Sequence, residues 1–118
     1  MRPVSVKEFI EQLKLSLTRV LPHLTLRVVE LNPHRFKGRI TLASGRNVDI
    51  FYGCKKGRID FALIDENKRI WGIDNLGEWH LHPLWNEKEH IATDYTSIEQ
   101  IVKELKSVIE KLDNQEQP

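Results

Sequence analysis

Cysteine is almost absent from this sequence, with Cys54 alone among 118 residues. An internal disulfide is therefore excluded, and a reducing cytoplasm is the expected location. No apolar run approaches the roughly 20 residues that a membrane helix needs, so no membrane association is expected. The opening stretch, MRPVSVKEF, also lacks the apolar core of a signal peptide. There is no internal repeat and no linker long enough to divide two domains. What is present is 40% apolar and 30% charged residues, a balance that suits one globular domain with a modest core. The expected organisation is a single α+β domain over residues 1–112, followed by a flexible polar tail, 113–118.

The net charge of +1 conceals an asymmetry. Residues 1–60 hold twelve Lys/Arg against five Asp/Glu, whereas residues 61–118 hold six against twelve. The basic excess is densest at 35–58, where Arg35, Lys37, Arg39, Arg46, Lys55, Lys56 and Arg58 face only Asp49. Such a block attracts phosphate, or it is a solvated surface neutralised in space by the acidic half. Cys54 lies inside it, in the turn-like YGCKKG, as either a reactive thiol or an ordinary turn cysteine.

Two helices and a run of strands are legible. In SVKEFIEQLKLSLTRVL, Val6, Phe9, Ile10, Leu13, Leu17 and Val20 fall on one helical face. Ser5 and Glu8 form a capping box, and Pro22 stops the helix. In SIEQIVKELKSVIEKL, an unbroken stripe from Ile98 to Leu112 marks a second amphipathic helix, with Thr96 and Glu99 as its expected box. Between them the period changes to two. LTLRVVEL, RFKGRITLA, NVDIFYG, RIDFALID and RIWGIDN are separated by short turn-like links, which join only antiparallel neighbours. WHLHPLW adds a sixth short strand, and NEKEHIATDY reads as a loop. The expected fold is α+β: an antiparallel five- to six-stranded meander with the N- and C-terminal helices packed on one face.

That arrangement leaves a second sheet face open. Regular alternation assigns Lys37, Arg39, Asp49, Phe51, Arg58, Asp60 and Trp71 to it, with Ala62, Ile64 and Ile73 among them. Basic and aromatic residues together suit single-stranded nucleic acid, with Lys37, Arg39 and Arg58 on phosphates and Trp71 under a base. The apolar members suit a protein interface instead, and a homodimer through Ile64, Trp71 and Ile73 is expected.

The segment DNLGEWHLHP holds the most specific chemistry. His80, His82 and His90 fall within eleven residues. In extended chain His80 and His82 point to one side, roughly 6.5–7 Å apart, while Trp79, Leu81 and Trp85 are expected to anchor the segment. Imidazole titrates near neutral pH, so such a pair can take one proton and give another. Asp74 ends a strand beside them and can orient one ring. Alternatively, the three histidines with Glu78, Glu87, Glu89 or Asp94 make a metal site, or the segment is a solvated edge strand. Asp74-Asn75 is also ordinary turn chemistry. His23 and His34 stand beside prolines in turns and receive no role.

The pieces FALIDENKRIWGIDN, WHLHP, His90 and SIEQIVKELKSVI, in that order, resemble the TumE-like toxins of prokaryotic toxin–antitoxin systems. The resemblance covers about residues 57–110. "LGEW" separates the Asp-Asn pair from the histidines, where family members carry a denser histidine run. The resemblance implies a toxin that acts on RNA and is neutralised by a cognate antitoxin. The size and class also resemble the RelE-type ribonuclease architecture. No cofactor is expected. The alternatives are a non-catalytic module that binds nucleic acid or protein, and a small histidine metal-binding protein.

Overall fold

A computed structural model describes residues 4–86 and 88–115. Helix α1 (Val6–Val20) is followed by strands β1 (Leu26–Leu31), β2 (Arg35–Thr41), β3 (Asn47–Gly53), β4 (Arg58–Asp65), β5 (Lys68–Asp74), β6 (His80–His82) and β7 (Ile91–Ala92), then by helix α2 (Ile98–Gln115). All seven strands form one antiparallel sheet in sequence order. The α+β meander is thus present with one strand more than expected, because Ile91 and Ala92 pair with Leu81 and His80 inside the stretch read as a loop. Helix α2 also runs three residues into the expected tail, and residues 116–118 lie outside the described chain.

Alternation on the inner strands selects which side chains face the helices. Phe36, Ile40, Val48, Ile50, Tyr52, Ile59, Phe61 and Leu63 are buried on one face. Phe9 of α1 stacks on Tyr52 with ring centroids 4.3 Å apart, and it lies 6.1 Å from Phe36. The stripe of α2 from Ile98 to Leu112 completes the same core, and the two helices pack on each other. No helix is long and apolar enough to cross a membrane among the described residues.

Strand β5 departs from regular alternation, and this corrects the expected placement of Trp71 and Ile73. Leu63 pairs with Trp71, but the next residue, Ile64, pairs with Arg69, so Ile70 is an extra, bulged residue. A bulge of one residue exchanges faces for everything beyond it. Trp71 and Ile73 therefore face the helices and are buried, while Arg69, Gly72 and Asp74 face the open side. The reason is the burial of apolar surface: three large side chains within four residues all leave water. Of the apolar residues assigned to a dimer interface, only Ile64 remains on the open face.

The start of α2 is also shifted by one residue from expectation. The Ser97 hydroxyl accepts the Gln100 N–H, and the Gln100 side-chain oxygen accepts from the Thr96 N–H. Ser97, not Thr96, thus fills the capping position. Glu99 turns outward to Arg19 and Lys103. In urea denaturation, Ser97→Ala should cost about 1 kcal/mol, and Glu99→Gln less than about 0.5 kcal/mol, because its ion pairs are exposed. A larger loss for Glu99→Gln would restore the Thr96–Glu99 box.

Candidate functional site: a carboxylate–histidine cluster on the open sheet face

Sheet register aligns the open face into cross-strand rows. One row runs Lys37, Phe51, Asp60, Asp74, His80, Ala92. The next runs Arg39, Asp49, Ala62, Gly72, His82. His80 and His82 therefore share the open face, as their spacing requires, and each lies directly across from β5.

Asp74 organises the end of both rows. Its Oδ2 lies 2.9 Å from His82 Nε2, and its Oδ1 lies 3.9 Å from His80 Nδ1. Oδ1 also accepts the Leu76 N–H, which closes the turn into β6. Asn75 clamps that turn to β4: its side-chain oxygen accepts the Ile59 N–H and its amide donates to the Gly57 carbonyl. The Asp-Asn pair is thus turn chemistry and ring orientation at once.

His82 is 3% exposed and has a partner at each nitrogen. Arg69 Nη2 lies 3.4 Å from Nδ1. A guanidinium only donates, so Nδ1 must accept and Nε2 must carry the proton given to Asp74. The bare α-carbon of Gly72, opposite His82, makes room for this contact. A methyl there would lie 3.2 Å from Arg69 Cδ and 3.1 Å from the Phe61 carbonyl oxygen. Neither Arg69 nor Asp60 was among the residues expected at the site. The glycine inside an otherwise apolar strand was the available signal, since such glycines mark bulges and close approaches.

His90 reaches the cluster from the loop before β7. Its ring stands edge-on to His82 at 4.4 Å and to His80 at 5.7 Å between centroids. His90 is exposed and His80 half-buried, so these two rings, not His82, offer faces to a ligand. Trp79 anchors the segment as expected, edge-on to Tyr95 at 5.3 Å. Burial there pushes the Tyr95 phenol up to about 12. Trp85 does not anchor it. It sits at φ 65°, is exposed, and donates its indole N–H to Gln115.

Comparisons with protein-family models, curated proteins and solved structures found no match to this chain. The site is therefore read from its own geometry.

That geometry disfavours the metal reading. His82 uses both nitrogens within the protein, which leaves no lone pair for an ion. Among the described residues, no group of three or more His, Cys, Asp or Glu is placed to hold one. Glu89 accepts from Asn86, and Glu87 lies outside the described residues. The cations expected on RNA differ from one another. Lys37 is exposed on the open face. Arg39 makes a two-pronged pair with Asp49, at 2.7 and 3.3 Å. Arg58 lies over the Phe51 ring at 5.5 Å and 3.7 Å from Asp60. Trp71 is buried beneath the sheet and cannot stack on a base.

Asp60 faces Asp74 directly across the strands, and like charges so placed destabilise a sheet. Burial first, and Asp74 second, hold the Asp60 carboxyl above its ordinary value, while Arg58 and Arg69 oppose the shift. A raised carboxyl contributes stability that is complete below the unfolded pKa and is lost as pH rises through the folded one. Asp60→Asn escapes that loss. It should melt roughly 2–5 °C above the parent at pH 7, and the gap should close as pH falls below about 4. A gap that persists in acid would point to a cause other than ionisation.

Proposed function

We propose that this protein acts on RNA by acid–base chemistry at the His80–His90 pair, as the toxin of a cytoplasmic toxin–antitoxin pair. The observation that carries the reading is the convergence of three imidazoles and one carboxylate on an open sheet face that also bears Arg58 and Lys37. Cleavage of RNA by its own 2′-hydroxyl needs a group to take that proton and another to protonate the leaving 5′-oxygen. His80 and His90 are exposed enough to meet substrate and close enough to act on one phosphate. Asp74 and His82 position them, and Arg58 holds a neighbouring phosphate of the same strand. The toxin role and its antitoxin come from the resemblance of FALIDENKRIWGIDN, WHLHP and SIEQIVKELKSVI. An antitoxin that lies on the open face would block the cluster, and so would a second copy of this chain.

A second reading, binding of RNA without cleavage, is favoured by the Arg58–Phe51 stack, which suits bases and phosphates and needs no histidine. Growth after induced expression, together with cleavage of a short single-stranded RNA by purified protein, separates the two. His80→Gln and His90→Gln should each reduce cleavage by about 100-fold or more, with melting temperatures near that of the parent. Both variants should relieve the growth arrest. Salt-sensitive RNA binding with no cleavage by the parent would leave the binding module, and the absence of both would end the RNA reading.

A further inference from the structure

Three strands away from the histidines, the sheet face ends in a cleft of about 500 Å³ that no part of the acid–base site uses. Its floor is set by register. Arg35 pairs with Gly53, and Gly53 pairs with Arg58, so two arginines flank a position without a side chain. The Phe51 ring lies over that glycine, where a methyl would stand 3.3 Å from two ring carbons. Arg58 covers one face of the same ring at 5.5 Å. Lys55 and Lys56, both exposed, form the outer rim.

The walls are tied together before any ligand arrives. Asn32 Oδ1 accepts the N–H groups of His34 and Arg35, each at 2.9 Å, which fixes the turn into β2. The Cys54 N–H donates to the His34 carbonyl at 3.0 Å, and the Cys54 thiol donates to the Pro33 carbonyl. These bonds join the 32–35 turn to the 53–57 turn. The carboxylates that compete for the arginines hold them loosely, with Glu30 3.5 Å from Arg35 and Asp60 3.7 Å from Arg58.

We propose that this cleft is a nucleotide subsite. A phosphate lies between the Arg35 and Arg58 guanidinium groups, beside the Phe51 ring, and its base extends the Arg58–Phe51 stack. Four cations around one cleft select an anion, and the aromatic ring selects one that carries a planar group. The subsite rests on the RNA reading and deepens it. Phe51 is three strand spacings from His80, roughly 14 Å. It therefore holds a nucleotide outside the scissile linkage and sets the path of the strand along the row Phe51, Asp60, Asp74, His80.

Titration of the intact protein with adenosine 5′-monophosphate, adenosine, inorganic phosphate and a short oligoadenylate, followed by amide NMR shifts, tests this. The monophosphate should perturb residues 32–35 and 51–58, and should bind about fivefold or more tighter than adenosine or phosphate. The oligoadenylate should bind about tenfold or more tighter still, with a steep loss in salt. Phe51→Leu should weaken the monophosphate about fivefold and leave phosphate unchanged, whereas Arg35→Gln should weaken both. Shifts confined to other parts of the chain, or indifference to both variants, would overturn the subsite. Equal affinity for monophosphate and oligoadenylate would overturn its place on an RNA strand. A mononucleotide has no scissile linkage, so its binding tests the subsite apart from catalysis, and binding here by a protein that does not cleave RNA would sink the catalytic reading alone. Cleavage without binding here would sink the subsite alone.

Discussion

The hydrogen bond from His82 to Asp74 is the contact around which the open face is arranged. It sits at the end of the sheet, with His82 buried and Asp74 13% exposed. A carboxylate so little hydrated needs donors, and it has them in His82 and the Leu76 N–H. The turn into β6, the orientation of His82 and the nearness of His80 all follow from where this one carboxylate is held. Asp60 directly opposite is the cost of the arrangement, and Arg58 and Arg69 reduce it.

Topology makes the cluster inexpensive to assemble. Every strand pairs with its neighbour in sequence, so Asp74, His80 and His82 meet through one short turn. The single irregularity in β5 does the rest. By exchanging faces at Ile70, it buries Trp71 and Ile73 in the core and brings Arg69 over Gly72 to His82. Core packing and site construction are two consequences of the same inserted residue. The rest of the open face is graded, from a basic, aromatic end around Phe51 to the histidine end, with the Arg39–Asp49 pair in the adjacent row.

Much of this was readable before the structure. Period-two alternation in β2 to β4 and the helical stripes fixed the layers, because burial of one face is a strong and local constraint. The shared face of His80 and His82, and the nearness of Asp74 to them, followed from strand geometry and adjacency. The bulge was not readable, since WGID is compatible with either register and only packing in the core decides. For that one reason regular alternation puts Trp71 on the wrong face and hides Arg69. His90 was named from sequence nearness alone, and the two-residue strand β7 that carries the chain past the cluster is too short to leave a periodic trace. Trp85 departs from the anchoring expected of a large aromatic, because its backbone is left-handed and its ring lies outside the core.

His82 is held by Asp74 on one side and Arg69 on the other, as the fixed member of the cluster. Long-range proton–nitrogen NMR of the imidazoles reads this directly. His82 should show the Nε2–H tautomer with an unprotonated Nδ1 and a slowly exchanging ring proton. An Nδ1–H tautomer, or a spectrum averaged like that of a solvent-exposed histidine, would contradict it.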